Sequence, residues 1–110
     1  MNNFFSYGTI QQENVQQRLY GRSLAGSKDY LPGFRIIFVE NKDHRSRSRG
    51  EEQLHKLAVA SGNSGDLVEG TVFELTDEEI DLTDRYEREG YTRIRVRLQS
   101  GKEVWIYAGI

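Results

Sequence analysis

Residues 69–93, EGTVFELTDEEIDLTDRYEREGYTR, change period from strand to helix at one threonine, and that switch restricts the folds open to the chain. Residues 70–75 are β-branched and aromatic and read as a strand. Thr76 then opens T-D-E-E, a capping box. Its hydroxyl accepts from the backbone N–H three residues on, and Glu79 reaches back to the amide of Thr76. Asp77, Glu78 and Glu79 suit the positive end of the helix dipole, so a helix is predicted over residues 77–88. At about 100° per residue, Ile80, Leu82, Thr83 and Tyr86 share one arc, and Glu87 falls about 20° from Ile80. A carboxylate at the edge of a buried face is partly desolvated. Desolvation raises its pKa toward the range where it can both take and return a proton. Arg85 and Arg88 point elsewhere on the wheel. The competing reading is an ordinary helix-end glutamate in solvent.

Length and composition bound the rest. The chain has 110 residues, enough for one domain over residues 1–110 with a single core. With 36% apolar and 29% charged residues, the core is lean and the surface very polar. The absence of cysteine excludes disulfides, thiolate metal sites and a cysteine nucleophile. His44 and His55 lie in or beside a polar stretch without ligand spacing, so no metal site is expected. No apolar run approaches a membrane span and the N-terminus carries no signal pattern, so no membrane association and a cytoplasmic location are expected. A net charge of −2 gives no general attraction to nucleic acid.

In chain order, Phe4, Phe5 and Tyr7 form a short strand that stops at Gly8, where bare backbone permits a sharp turn or close approach to a ligand. Residues 11–20 carry Val15 and Leu19 four apart and end at Gly21, predicting a short helix. Residues 22–26 read as a small strand. The turn LPGF then launches residues 34–39 as a buried strand. Residues 41–53, polar and Arg/Ser-alternating, read as a mobile loop or hairpin tip. A strand follows at residues 55–60 and a turn at 61–66. Residues 91–98 alternate, with Ile94, Val96 and Leu98 on one face and Arg93, Arg95 and Arg97 on the other. Residues 99–102 form a hairpin turn and 104–108 return beside that strand. About six strands and two helices in non-alternating order predict an α+β domain with a largely closed or strongly bent sheet.

Common catalytic motifs are missing: no phosphate-binding loop, no GxGxxG, no GxSxG, no HExxH. The RSRSR run and the arginine ladder at 93, 95 and 97 suggest a basic strip, but Glu51, Glu52 and Glu103 blunt it, and nucleic acid is not the expected partner. Two features remain. The segment Tyr7-Gly8-Thr9-Ile10 leaves a strand with exposed backbone donors suited to an anion. Glu87 is a half-buried carboxylate. Together they describe a small cavity with anion-binding amides and one acid/base. The reaction is not fixed by these residues.

The same landmarks resemble the γ-glutamylcyclotransferase family of the AIG2-like type, from Phe5 to about Tyr107. FSYGTI is similar to its opening strand and Tyr-Gly-Ser/Thr-Leu loop, and LPGF to its second landmark. LVEGTVFELTDEEIDLTDRYE, then YTRIRVRL, resembles its V-x-G-x-V-[YF] strand, its capped helix ending L-D-x-[FY]-E, and the strand that follows. WIY resembles its closing aromatic strand. The resemblance implies a small, mostly closed β-barrel of about six strands with two flanking helices. It also implies cyclisation of a γ-glutamyl amine or amino acid to 5-oxoproline, without a cofactor. Glu87 matches the proton-transferring glutamate, and Tyr7, Gly8, Thr9 and Ile10 match the head-group loop. Arg93 and Tyr107 are further candidates, lining the wall or standing directly behind it. The chain departs from the pattern at Thr83, where leucine is usual, at Arg88, where glycine is frequent, and at Gln11 and Gln12. Glu89 is a rival base if the helix end shifts. A binding module on the same fold, holding an amine without proton transfer, is the alternative. Leaving group and oligomeric state stay open.

Overall fold

Phe4 and Phe5 are both buried although adjacent residues of a strand face opposite ways, so the first strand must be covered on both sides. The computed structural model, which describes residues 1–40, 54–87 and 90–109, supplies both covers. Its elements are β1 (Asn2–Ser6), a 3-10 turn (Thr9–Gln11), α1 (Glu13–Tyr20), β2 (Gly26–Pro32), β3 (Phe34–Glu40), β4 (Leu54–Ala60), β5 (Leu67–Leu75), α2 (Asp77–Tyr86), β6 (Thr92–Arg97) and β7 (Glu103–Ala108). A five-stranded sheet has the order β2-β5-β1-β7-β6. β5 lies antiparallel to β1, with Asn2 opposite Leu75 and Ser6 opposite Thr71. β7 lies parallel to it, with Phe4 opposite Trp105.

The two helices cover one face. Phe4, Phe73, Leu75 and Tyr107 meet Ile10, Val15 and Ile80 there. β3 and β4 cover the other as a separate two-stranded sheet, packing Ala58, Phe34 and Ile36 against Phe5, Val72, Val104 and Ile106. The α+β class is as the sequence predicts. The closure is different: among the described residues, seven strands form two sheets, not a closed barrel. β3 and β4 spend their ladder on each other from Phe34↔Ala60 to Glu40↔Leu54. They join the large sheet through packing and a few bonds, such as Gly109 N–H to the Ala58 carbonyl at 2.8 Å.

Three local predictions change. Residues 22–25 are not a strand, and β2 starts at Gly26. Their polar groups are engaged elsewhere: the Leu24 N–H donates to Gln16 Oε1 at 2.8 Å, and Arg22 forks onto Glu79 with both bonds at 2.8 Å. Bonding from Arg22 holds the Glu79 carboxyl below its usual pKa despite partial burial. β3 is half-buried, not buried, since only β4 pairs with it and Phe38 is 63% exposed. The first helix starts at Glu13, after the 3-10 turn, and stops as predicted at Gly21, whose φ of 72° suits glycine. The loop predicted at residues 41–53 lies outside the described residues. Among the described residues, no helix is long and apolar enough to cross a membrane.

Candidate active site

The lengths of α2 and β1 bring the predicted site together. α2 starts beside the first strand residues, where Asn2 Nδ2 donates to the Leu75 carbonyl at 3.1 Å and to Asp77 Oδ1 at 2.8 Å. The capping box is formed: Glu79 N–H donates to Thr76 Oγ1 at 3.1 Å, and Thr76 N–H to Glu79 Oε1 at 2.9 Å. Ten helical residues rise about 15 Å, close to the roughly 17 Å of a five-residue strand. The helix therefore ends level with the end of β1. Because β7 is parallel to β1, its last residues, including Tyr107, reach the same edge.

Glu87 sits there, but not by the predicted route. The helix ends at Tyr86, and Glu87 is its C-cap, with φ −70° and ψ 143° in the extended region. The helical-wheel placement therefore does not apply to it. Extended backbone turns the half-buried side chain toward the strand ends, while its N–H still donates to the Thr83 carbonyl at 3.0 Å. Glu87 lines a cavity of about 130 Å³ together with Tyr7, Gly8, Thr9 and Ile10. It is the only carboxylate among the described residues that line it. Arg88 and Glu89 lie outside the described residues.

The loop is held from behind. Gln16 is buried and donates from Nε2 to the Ile10 carbonyl at 2.8 Å. Gln11 N–H donates to the Gly8 carbonyl at 3.2 Å, and Gln12 N–H to that of Thr9 at 2.9 Å. The amides of Thr9 and Ile10 precede these bonds and take no part in them. A Cβ built on Gly8 meets nothing within 4 Å, so open space adjoins the backbone at that point.

Tyr7 contributes its side chain to the scaffold. Its hydroxyl donates to the Tyr107 carbonyl at 2.6 Å and accepts from Ala58 N–H at 3.0 Å, joining β1, β7 and β4. Burial pushes the Tyr7 phenol up to about 12, against the pull of the Ala58 bond, and the charge of Glu87 adds to the rise. Tyr20 is likewise pushed up to about 12, chiefly by burial, with Glu87 among the smaller causes. Tyr107 is raised mainly by burial, then by its bond to Asp84, and Glu87 again contributes. Three neutral phenols thus lie within electrostatic reach of the carboxylate, and each donates its proton to another partner. Tyr107 donates to Asp84 Oδ1 at 2.6 Å. Thr83 Oγ1 donates to the Glu79 carbonyl at 2.7 Å, which makes Tyr20 the donor in its 2.6 Å bond to Thr83. Thr83 is thus a fully buried polar dock between the helices.

Of the two further candidates, Tyr107 lines the cavity. Arg93 does not; its Nε pairs with Asp84 Oδ1 at 2.9 Å and its guanidinium lies 4.5 Å from the Trp105 ring centre. Arg95 shares that ring at 5.1 Å and Arg97 pairs with Glu103 at 3.6 Å, so each arginine of the ladder has a protein contact. Sequence reading missed Tyr86, His55, Lys56 and Tyr91, which line the wall together with the end of β1 from Phe4 to Ser6. His55 and Tyr91 approach ring to ring at 5.6 Å, and the Tyr91 hydroxyl donates to the Lys56 carbonyl. Only Tyr86 carried a signal, as the aromatic before the motif's glutamate. Among the described residues, no group of three or more potential ligands could hold a metal ion.

Residues 4–109 match the family described as gamma-glutamyl cyclotransferase, AIG2-like, and the chain belongs to it. Solved structures share its fold. An Arabidopsis thaliana protein determined in solution superposes with a TM-score of 0.73 at 22% identity, over 98% of this chain and 61% of that one. A gamma-glutamyl cyclotransferase gives a TM-score of 0.69 at 18% identity, covering 99% and 66%. An uncharacterized Homo sapiens protein gives 0.71 at 22% identity, covering 99% and 66%. The chain therefore spans about three fifths of the Arabidopsis chain and two thirds of the other two. No curated protein matches the sequence.

Proposed function

We propose that the protein is a γ-glutamylcyclotransferase that converts a γ-glutamyl amine or γ-glutamyl amino acid to 5-oxoproline, with Glu87 as general acid/base. One observation carries this reading: Glu87 and the loop Tyr7-Gly8-Thr9-Ile10 line the same cavity. In this reading the amides of Thr9 and Ile10 hold the substrate's α-carboxylate. Glu87 takes a proton from the α-ammonium. The freed amine attacks the γ-carbonyl carbon and a C–N bond closes the five-membered ring. Glu87 returns its proton to the departing nitrogen as that nitrogen's bond to the γ-carbonyl carbon breaks, then takes the extra proton from the ring nitrogen and passes it to the released amine. Ring closure within one bound molecule gains most from positioning, and the packed loop provides that.

The test is 5-oxoproline release from a panel of γ-glutamyl amines, γ-glutamyl amino acids and glutathione. Release from at least one class supports the proposal, and the panel identifies the leaving group. Saturable binding without release from any compound would instead mark a binding module on this fold.

A further inference from the structure

The loop and the end of α2 are joined directly across the cavity. Thr9 Oγ1 and the Tyr86 hydroxyl lie 2.8 Å apart, and both residues line the cavity wall. Tyr86 is the last residue of α2 and Glu87 the next, so the bond connects the loop to the residue adjoining the carboxylate. The predicted arc would bury Tyr86, yet it is 38% exposed. Its ring lies at the cavity, and its hydroxyl meets Thr9. Ile80 and Thr83 on the same helix are buried, so packing fixes the middle of α2. In the last turn Asp84 is bonded by Tyr107 and Arg93, the Glu87 N–H donates to Thr83, and the strap to Thr9 joins this end to the loop.

We propose that Tyr86 is a positioning residue, whose bond to Thr9 sets where Glu87 stands relative to the head-group loop. The proposal rests on the cyclotransferase reading for its effect on turnover. A base must stand within hydrogen-bond reach of the proton it removes, and small misplacements are costly in rate. A strap between loop and helix end holds that separation before substrate arrives.

The experiment is a double-mutant cycle on the full chain with Tyr86→Phe, Thr9→Val and both together. Each swap removes one hydroxyl and keeps the side chain's bulk. A neutral bond of this kind corresponds to a change of up to about tenfold. For the γ-glutamyl compound that the wild type turns over, kcat is expected to fall about tenfold in Tyr86→Phe with KM changed less than twofold. The double variant is expected to be no slower than the slower single one, since either swap already breaks the strap. Multiplying losses, or wild-type kcat in Tyr86→Phe, would overturn the proposal. Amide hydrogen exchange at Glu87, read by NMR, needs no turnover: it is expected to quicken in both single variants, and unchanged exchange would also overturn it. A wild type without 5-oxoproline release defeats the cyclotransferase reading, while the exchange result still decides the strap.

Discussion

The Tyr7 hydroxyl donates to the Tyr107 carbonyl at 2.6 Å while it accepts from the Ala58 amide at 3.0 Å. One phenol thereby joins the ends of the two parallel strands to the second sheet, at the edge where Glu87 and the loop meet. Tyr7 is thus a brace for the cavity as well as part of its wall.

Tyr7→Phe should leave a buried amide and a buried carbonyl short of a partner. The expected cost is about 2 kcal/mol in urea unfolding. The phenol also sets an alkaline limit. Its pKa is about 12 folded, against 10.0 for the ordinary group, so folding favours the protonated form. That contribution is complete below pH 10 and is lost as pH rises through about 12. Stability of the wild type is expected to fall over this window, and Tyr7→Phe to lose part of that slope. A slope unchanged in the variant would assign the alkaline loss to other groups.

Two glycines should separate binding from folding. At Gly8 a new Cβ meets nothing within 4 Å, so Gly8→Ala is expected to shift stability by less than about 1 kcal/mol while raising KM. At Gly70 it would lie 2.5 Å from the Ser6 carbonyl oxygen and 2.6 Å from the Phe5 ring. Gly70→Ala is expected to cost about 1–3 kcal/mol, by forcing β5 away from β1. Thermal unfolding beside steady-state kinetics reads both.

Much of the fold was legible where local chemistry decides it. The capping box, the alternating β6 and the hairpin to β7 depend on neighbours in sequence, and they formed as predicted. What failed depended on distant partners. β2 contains Pro32 and Lys28 and Asp29, poor strand signals, yet it pairs with β5 from Gly26↔Phe73 to Pro32↔Leu67. β3 looked buried because Ile36, Ile37 and Phe38 are apolar, and only the topology shows that its sheet has two strands. Glu87 was placed on a helix face, but α2 ends one residue earlier. His55 and Tyr91 come to the wall from opposite ends of the β4-to-β6 segment, a juxtaposition no local pattern encodes.

Thr83 is a fully buried polar residue with both of its hydrogen bonds made inside the protein. Thr83→Val keeps the shape but removes both the bond to Glu79 and the acceptor for Tyr20. A loss of about 1–2 kcal/mol is expected, and the Tyr20→Phe background should shrink it, since the stranded phenol is then gone. An equal loss in both backgrounds would mean that the Tyr20 contact contributes nothing.

In the proposed reaction Glu87 carries the proton. Glu87→Gln keeps the size and removes that capacity, so kcat for 5-oxoproline release and affinity for a γ-glutamyl compound should be measured together on wild type and variant. The expected result is a fall in kcat of at least about 100-fold, with binding within a few-fold of wild type. Release at a comparable rate in Glu87→Gln would contradict the assignment and move the base to another residue.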